Sequence, residues 1–427
     1  MNNNNNNNNN DDDDDQTPLY IGVMSGTSLD GVDVVLASIK QQPSSSSSKL
    51  VIKEIYSIEY PIPLDIKNQV IDLSTSNPTS IGQIGLLDAR LGDLYTDAIQ
   101  YLLNRLPTNI DKKRIVAIGN HGQTVWHSPN TTPLFTMQLG DNHRIVSKLN
   151  ITVVGQFRQR DMALGGQGAP LLPAFHHLLL SDPIETRAVL NIGGIANITI
   201  LPTTTNNNDQ KEGIIGFDTG PGNVLMDGWI NKCKGCQYDN NGEWALSGKV
   251  NQCLFDRLIT NTLDYLDRQP PKSTGRELYN LKWLQSILED TEKETNQPLK
   301  SEDVQRTLLQ LTAYTITSQI KKVMAGNNRV DRLDRLLLCG GGSRNIGLVE
   351  LIRQMINNDN YQNSVVIVEA TDRQGVSSQN MEALAFAWMA FRTMNNLPSN
   401  LPSVTGASSR SILGCIYPSS SSSSSSS

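Results

Sequence analysis

The sequence has few cysteines, no long apolar run and no recognisable targeting segment. Its 427 residues include five cysteines, an odd and sparse set, which favours a reducing compartment over a disulfide-stabilised secreted fold. No apolar stretch approaches the roughly 20 residues that a membrane-spanning helix needs. The N-terminus is polyasparagine followed by polyaspartate, which matches neither a signal peptide nor an Arg-rich transit sequence. These absences predict a cytoplasmic protein without a membrane partner.

The chain also lacks an excess of positive charge. It carries 36 Lys and Arg against 42 Asp and Glu, a formal net charge of −6. No global field therefore exists to hold nucleic acid or an anionic membrane, and neither is expected as a partner. A ligand that carries phosphate must instead be held by local groups, such as backbone amides and helix N-termini. Glycine-rich turns next to apolar strands are therefore the places to examine.

Homopolymer tracts mark both ends of the ordered part of the chain and interrupt it at two loops. Residues 1–16 and 418–427 lack the apolar side chains that would offset the entropy of ordering, so disordered Asn/Asp and Ser tails are predicted. The tracts at 44–48 and 203–208 are typical of expansions in surface loops, where closure entropy grows slowly with length. Residues 17–418 remain, which is enough for two domains with separate cores.

One pattern occurs twice, at the start of each half of the ordered chain. Residues 19–39 read as a β-rich run, a turn of Gly, Ser, Thr and Asp, and a second β-rich run. Residues 188–201 repeat this order of strand, glycine turn and strand. Apolar residues at helical spacing predict helices at 82–106, 303–325 and 380–395. The repetition predicts two α/β domains that face one another across a cleft.

The tip of the first hairpin and a third glycine turn are candidate phosphate sites. Gly26 and Gly31 let backbone amides converge on an anion at the hairpin tip, where nearby hydroxyl groups add donors. Residues 336–345, LLLCGGGSRN, follow an apolar strand and precede an amphipathic stretch, the order that places a helix N-terminus at a ligand. One such turn alone is most often only a hairpin loop. The P-loop and GxGxxG patterns are absent from the first two turns.

The segment 155–175, GQFRQRDMALGGQGAPLLPAF, holds the candidate general base. Asp161 lies between two arginines, Arg158 and Arg160, and a glycine run that ends at Pro170. Transfer of a phosphoryl group to a hydroxyl needs a carboxylate that takes the nucleophile's proton, and room for the substrate to approach. Asp161 has that chemistry. The alternative is a surface Asp that pairs with one of the two arginines.

Two further turns carry polar groups that suit a nucleotide or a sugar. In 216–223, GFDTGPGN, which reads as a strand-to-helix turn, Asp218 could orient Mg²⁺ through water or cap the following helix. In 119–125, GNHGQTV, amide, imidazole and hydroxyl groups follow an apolar strand and are of the kind that bind sugar hydroxyls. Both turns are therefore candidates for lining a cleft.

Two patterns resemble metal or redox sites and are not interpreted as such. His121 and His127 have no carboxylate or cysteine at metal-ligand spacing beside them, so a metal site is not expected there. Cys233 and Cys236 form a lone CxxC without a second pair, a nearby histidine or a thioredoxin-like context. This motif is expected to be incidental.

Taken in order, these segments resemble the anhydro-N-acetylmuramic acid kinase family from about Tyr20 to Pro418. The strings that carry the resemblance are GVMSGTSLDGVD, GNHGQTVWHSP, FRQRDMALGGQGAPLLP, NIGGIANIT, GFDTGPGN, STGRELYN, CGGGSRN and NLPSVTGA. Each string is weak alone, but the ordered set is specific. Because the family shares its fold with sugar kinases, Hsp70 and actin, the resemblance implies an α/β protein with two ribonuclease H-like domains facing an ATP cleft.

The resemblance implies both a domain division and a reaction. Domain I would comprise 17–186 plus 385–417, and domain II would comprise 187–384. The implied enzyme is an ATP-dependent carbohydrate kinase of amino sugar metabolism and peptidoglycan recycling. Water attacks C1 of 1,6-anhydro-N-acetylmuramic acid, the bridge opens, and O6 takes the γ-phosphoryl group to give N-acetylmuramic acid 6-phosphate. ATP and Mg²⁺ are the implied cofactors, the sugar is the partner, and a homodimer is the implied assembly.

The resemblance also assigns roles to residues, with Asp161 as the general base that activates the water. The ATP-binding residues are Ser25, Gly26, Thr27, Ser28, Leu29, Asp30, Gly31, Val32, Asp33, Gly193, Gly194, Gly340, Gly341 and Gly342. The substrate-binding residues are Asn120, His121, Gln123, Thr124, Arg158 and Glu382, and the stretch 273–277 also falls beside the cleft. Asp218 is the candidate metal ligand.

Three positions depart from related sequences. Many sugar kinases have an Asp that helps hold Mg²⁺ near the position of Met24, and relatives often have Asp where this chain has Asn191. The anhydro-sugar kinases share both differences, so these favour this branch and leave the metal ligands open. The family usually has Asp where this chain has Gln156, so a site that uses that Asp to support Arg158 would be altered here.

Two alternatives remain at this point. One is a kinase for another amino sugar, which would phosphorylate an open sugar without attack by water. The other is a non-catalytic sugar-binding ATPase, such as a sensor or a chaperone-like protein. A sensor of this superfamily often carries a DNA-binding helical module, and a chaperone needs a peptide-binding domain. Neither module is expected before Leu19 or after Pro418, and the presence of Asp161 favours turnover.

Overall fold

A computed structural model describes residues 16–26, 29, 31–42, 49–74, 79–203, 213–276, 278–326, 332–358 and 364–420. Several sequence predictions lie outside these ranges. They are most of both tails, the tract at 44–48, most of the tract at 203–208, and the residues Thr27, Ser28, Asp30 and Glu277.

The described part of the chain contains both strands and helices. The strands are β1 (Leu19–Ser25), β2 (Gly31–Gln42), β3 (Lys49–Pro61), β4 (Ile115–Asn120), β5 (Gln123–Ser128), β6 (Phe135–Leu139), β7 (Val153–Gly155), β8 (Arg187–Ile192), β9 (Ile195–Leu201), β10 (Ile215–Pro221), β11 (Arg335–Cys339), β12 (Ile367–Ala370) and β13 (Cys415–Tyr417). The helices are α1 (Leu64–Ser74), α2 (Ile81–Leu103), α3 (Asn142–Leu149), α4 (Gln159–Ala163), α5 (Pro173–Leu180), α6 (Val224–Lys234), α7 (Glu243–Ser247), α8 (Gln252–Thr260), α9 (Leu263–Leu266), α10 (Leu281–Thr295), α11 (Ser301–Gly326), α12 (Ile346–Asn357), α13 (Met381–Met394) and α14 (Pro402–Thr405). None of these helices is long and apolar enough to cross a bilayer.

The first half of the molecule is built on a six-stranded sheet in the order β13-β7-β4-β1-β2-β3, in which β13 comes from the C-terminal end of the chain. Strands β1, β2 and β3 pair antiparallel, and β4 lies parallel to β1 on its other side. Strand β7 continues parallel to β4, and β13 closes the edge antiparallel to β7. An antiparallel meander therefore leads into parallel strands on the far side of β1.

The second half repeats this topology in a five-stranded sheet, β10-β9-β8-β11-β12. Strands β8, β9 and β10 form the antiparallel meander, and β11 and β12 follow in parallel beyond β8. A three-strand meander followed by two parallel strands beside its first strand is the ribonuclease H-like arrangement. Its occurrence twice confirms the predicted fold class, and both glycine-tipped hairpins are present as β1–β2 and β8–β9.

Local sequence explains why these elements form where they do. All seven residues of β1 are buried, so its apolar run forms the centre of the first sheet. A capping box between Ser80 and Gln83 starts α2, because the side chain of each residue bonds the backbone N–H of the other. The helices predicted from apolar spacing are confirmed as α2, α11 and α13.

Helix α13 packs directly on the first sheet through glycines. A Cβ added at Gly22 of β1 would overlap the carbonyl oxygen of Ala383, and one added at Gly119 of β4 would overlap that of Phe386. The missing side chains therefore let the helix backbone touch the strands. The apolar cluster around α13 also contains Val189 and Leu337 from the second sheet. The helix thus lies between the two halves.

One local prediction is wrong. Asp218 does not lie in a strand-to-helix turn but inside strand β10, where it faces Asn197 of β9. The helix that follows, α6, has Asn223 at its N-cap, and no side chain bonds the backbone there. The β-bulge between Asp218 and Gly220 explains the error, because glycine inside a strand has the composition of a turn.

Candidate active site

Asp161 is completely buried, and both oxygens of its carboxylate accept hydrogen bonds. Its Oδ1 accepts hydrogen bonds from Asn400 Nδ2 at 2.9 Å and from Thr405 Oγ1 at 2.8 Å. Its Oδ2 accepts one from the backbone N–H of Gly168 at 2.9 Å. The alternative of a surface Asp paired with Arg158 or Arg160 is therefore wrong, because the side chain has no solvent exposure and is held by neutral donors.

The glycine run after α4 folds back over this carboxylate. A Cβ added at Gly166 would overlap Asp161 Oδ2, and Gly168 has φ +67°, which favours glycine. Any larger residue at 166 would push the chain away from the carboxylate. The glycines predicted to allow close approach therefore allow the approach of the chain's own backbone to Asp161.

Arg158 is a partly buried arginine that interacts with three carboxylates. Its Nε donates to His121 Nε2 at 3.0 Å, and one terminal nitrogen donates to the carbonyl of Gly168 at 2.8 Å. Burial lowers the pKa of the guanidinium, and the carboxylates of Glu382, Asp218 and Asp161 act in the opposite direction. One arginine thus interacts with carboxylates from both halves of the molecule.

His121 is neutral and oriented by Arg158. Burial, followed by the charge of Arg158, lowers the pKa of the imidazole well below its usual range. Because Nε2 accepts from the guanidinium, the proton of the neutral ring lies on Nδ1. That Nδ1 is buried without a hydrogen-bond partner in the described part of the chain. The ring packs against Phe386 of α13, with centroids 4.7 Å apart.

Glu382 connects the two sheets at the same place. It lies in the first turn of α13, and its Oε1 accepts from Asn191 Nδ2 of strand β8 at 2.9 Å. Burial raises the pKa of Glu382, whereas Arg158 and the Asn191 amide oppose that rise. The structure therefore brings together three of the predicted substrate residues, His121, Arg158 and Glu382.

The glycine turns of the second half converge on one another. Gly340 lies so close to Asn191 that a Cβ there would overlap its side-chain oxygen. The carbonyls of Gly193 and Gly194 accept from the backbone N–H groups of residues 222–224, where α6 begins. Gly341 and Gly342 form a 3₁₀ turn ahead of α12. The start of α6 and the 3₁₀ turn ahead of α12 therefore meet the second hairpin close to its tip.

The first hairpin has a different character in its described part. Ser25 Oγ bonds the Tyr95 hydroxyl at 2.8 Å and donates to Gln123 Oε1 at 2.8 Å, so the hydroxyl of Ser25 and the amide of Gln123 satisfy each other. Leu29 and Val32 are buried in the core of the first half. Gly26, Gly31 and Asp33 remain predicted ATP contacts. Leu29 and Val32 can contact a nucleotide only through their backbone groups, because their side chains are buried.

The remaining predicted substrate residues also use their polar groups within the protein. Asn120 donates to Asn142 Oδ1 at 2.8 Å and accepts the backbone N–H of Gly122. Thr124 accepts from Gln138 on the neighbouring strand β6. These side chains are not gathered with Arg158 in the way that His121 is.

Asp218 is held by the segment that precedes α10. Its Oδ2 accepts the N–H of Thr274 at 2.9 Å, and its backbone carbonyl accepts from the Tyr265 hydroxyl at 2.6 Å. Nearby Lys272 is buried, and desolvation lowers its pKa to about 8. Within the described ranges no three His, Cys, Asp or Glu residues are grouped to hold a metal ion. Cys233 and Cys236 are free and exposed.

Asn400 and Thr405 were missed as site residues from the sequence. They lie in the segment NLPSVTGA, which is part of the family resemblance but contains no residue that signals chemistry by itself. Their distance along the chain from Asp161 hides the contact. The only signal for this segment is its place in the ordered set of strings that resemble the family.

The repeated fold, the converging glycine turns and the buried carboxylate beside an arginine define an ATP-dependent phosphotransferase of the sugar kinase class. A family model described as anhydro-N-acetylmuramic acid kinase matches residues 18–419. The chain therefore belongs to the anhydro-N-acetylmuramic acid kinase family, which confirms the predicted resemblance and enzyme class. It is an ATP-dependent kinase of anhydro-N-acetylmuramic acid.

Solved structures with the same general arrangement are distant. The activator of 2-hydroxyisocaproyl-CoA dehydratase from Clostridium difficile with bound ADPNP is 14% identical, with 88% of this chain and 96% of that chain covered and a TM-score of 0.40. A ROK family glucokinase from Streptomyces griseus in complex with glucose and AMPPNP is 11% identical, with 87% and 98% covered and a TM-score of 0.37. At these values the likeness says nothing further about this chain.

Proposed function

We propose that this kinase opens its bicyclic substrate with water that Asp161 activates, while O6 receives the γ-phosphoryl group of ATP. The observation that carries the proposal is the carboxylate of Asp161, which is buried and has two donors on Oδ1 but one on Oδ2. Because these three partners all donate, the carboxylate acts as a hydrogen-bond acceptor and can serve as a base. Arg158 adds a positive charge beside it.

The proposed reaction uses only water, ATP and the bicyclic sugar. Asp161 takes a proton from water, the water oxygen bonds to C1, and the C1–O6 bond breaks. The released O6 bonds to the γ-phosphorus, and ADP leaves. Arg158 and His121 are proposed to bind the sugar or the transferring group, because the guanidinium carries charge and His121 Nδ1 has no hydrogen-bond partner among the described residues. Because Asp161 is fully buried, the glycine run at 165–168 must admit the water.

ATP is proposed to bind where the glycine turns meet, at Gly193, Gly194 and residues 340–342 on one side and the first hairpin on the other. The start of α6 lies against the second hairpin, where the positive end of the helix dipole favours an anion, and the glycines leave room for phosphate to approach the backbone. Mg²⁺ supplies neutralisation of the phosphate charge in this type of transfer. Asp218 fits such an ion, since Mg²⁺ often takes one or two carboxylates and completes its shell with phosphates and water.

We propose that the two halves act as separate bodies that close on the substrates. Domain I is still proposed to comprise 17–186 plus 385–417, and domain II 187–384. The boundary between residues 384 and 385, however, falls within α13. Because α13 packs on β1, β2 and β4, the whole helix is assigned to the first half. The composition supports a cytoplasmic location, and the family supports a homodimer.

The deciding experiment is turnover of the full chain with ATP, Mg²⁺ and 1,6-anhydro-N-acetylmuramic acid in ¹⁸O-water. Mass analysis should find heavy oxygen at C1 of a 6-phosphorylated sugar. No turnover of this substrate, together with activity on N-acetylglucosamine or another ordinary reducing sugar, would overturn the proposed reaction. It would leave a kinase for a different amino sugar.

A further inference from the structure

The two donors on Asp161 Oδ1 come from one short segment near the end of the described chain. Asn400 lies just before helix α14, Thr405 is the last residue of that helix, and both side chains are buried. Their bonds to the same oxygen, at 2.9 and 2.8 Å, span more than two hundred residues of sequence. Oδ1 therefore has its two lone pairs occupied, and Oδ2 keeps one after its bond to Gly168.

Asn400 and Thr405 are themselves fixed in orientation. The Oδ1 of Asn400 accepts the N–H of Ser411 at 2.7 Å, so its Nδ2 must point the other way, toward Asp161. The hydroxyl of Thr405 has one proton, and its contact with Asp161 at 2.8 Å is far shorter than that with the Leu401 carbonyl at 3.4 Å. Both groups therefore act as donors to the carboxylate.

The same segment is bonded to the glycine run that covers the carboxylate. The N–H of Gln167 donates to the Thr405 carbonyl at 2.8 Å, and the N–H of Ser408 donates to the Leu164 carbonyl at 2.9 Å. The segment 400–411 and the run 164–168 thus form one unit around Asp161. Replacing Thr405 therefore affects the carboxylate directly, because the Thr405 hydroxyl bonds Asp161 Oδ1.

We propose that Asn400 and Thr405 are positioning residues, which hold Oδ1, favour the ionised carboxylate and leave Oδ2 to take the proton from water. This inference rests on the proposed function, in which Asp161 is the base. Hydrogen bonds to a charged acceptor are stronger than neutral ones, so losing one weakens both the orientation and the ionised form. Neither residue contacts the reacting atoms in this arrangement.

The test compares Thr405→Val with Thr405→Ser in the full chain. Loss of the donor should lower kcat by roughly 10- to 100-fold with a smaller change in KM. The acid limb of the pH profile of kcat/KM should move to higher pH, because the ionised carboxylate loses a donor. Thr405→Ser keeps the hydroxyl and should restore both the rate and the limb.

Thr393→Val is the matched control, because Thr393 is also buried in this half but donates to the carbonyls of Met389 and Leu413. It should lose stability without moving the acid limb. If Thr405→Val does not accumulate as folded protein, Thr405→Cys gives a weak donor of similar size, and its limb should move in the same direction. A wild-type rate and limb in Thr405→Val, with Asp161→Asn inactive, would overturn the positioning role. Near-normal turnover by Asp161→Asn would instead overturn the proposed base.

Discussion

At the scale of single residues, the site is built from groups whose proton positions are fixed by their neighbours. His121 must carry its proton on Nδ1 because Arg158 donates to Nε2. In the part of the chain that the structure describes, Asp161 has three hydrogen-bond donors and no acceptor as partners. A group surrounded in this way works only in its ionised, accepting form. This makes Asp161 sensitive to the smallest change in its chemistry.

Replacing Asp161 by Asn should remove catalysis and weaken the fold around it. The amide cannot take a proton from water, so the rate should fall by roughly three or more orders of magnitude. If its oxygen accepts from Asn400 and Thr405, its NH₂ group faces the N–H of Gly168, which should cost about 1–3 kcal/mol of stability. Single-turnover kinetics and thermal unfolding measure the two effects. Binding of a non-hydrolysable ATP analogue should be retained.

Asp93→Asn is the control for loss of a carboxylate. Asp93 pairs with Arg144 and Lys148 on the first half, and those partners hold its pKa at about 2. Because the pair lies at the surface, this variant should keep its rate. Near-normal turnover by Asp161→Asn would exclude Asp161 from the mechanism.

At the scale of elements, α13 depends on two glycines for its place on the first sheet. Gly22→Ala should destabilise the protein, because the added methyl would overlap the Ala383 carbonyl and force helix and strand apart. Overpacking of this kind costs typically about 1–3 kcal/mol. Glu382, in the first turn of α13, should shift with the helix and reduce activity. Thermal unfolding and turnover measure these changes.

Gly85→Ala is the matched control, since nothing lies within 4 Å of an added Cβ at this position in helix α2. It should be neutral or stabilising by up to about 1 kcal/mol, because alanine has the higher helix propensity. Equal stability of the two variants would show that α13 does not require the close contact.

The elements were easier to predict than the site because their signals are local. Apolar runs broken by glycine predicted both hairpins, and the helical spacing predicted α2, α11 and α13. Asp218 was misplaced because the glycines around it signal a turn, whereas here they belong to a bulged strand. Asn400 and Thr405 were missed because they meet Asp161 from 239 and 244 residues away. Nothing in their own sequence specifies that contact.

At the scale of the whole molecule, two sheets of one topology share α13 and the helices around it. Apolar side chains from both sheets lie in the cluster around α13, and the bond from Asn191 to Glu382 crosses between them. Helix α5 makes a second link, because His176 Nδ1 lies 2.8 Å from Thr199 Oγ1 of strand β9. Buried polar groups at such links tie the stability of the whole molecule to pH.

Acid should therefore destabilise the protein through its buried histidines. Burial lowers the pKa of His176 to about 3, and partial burial together with the charge of Arg158 lowers that of His127 to about 4. In the unfolded chain both rings titrate near 6.5, so below that pH the unfolded state binds more protons than the folded state. Stability falls as the pH drops from about 6.5 toward these values, by up to about 1.4 kcal/mol per pH unit for each ring.

His176→Gln isolates one of these contributions, because glutamine does not titrate and can still bond Thr199. We expect its unfolding free energy, measured by urea titration between pH 6.5 and 4, to fall less steeply with acid than that of the unaltered chain. His143→Gln on α3 is the control for the substitution itself, since that ring is exposed. The difference should vanish above pH 7, where His176 is neutral in both states. Parallel curves for His176→Gln and the unaltered chain across the acid range would contradict this account, because a ring kept neutral by burial must lose its advantage when the unfolded chain takes up a proton.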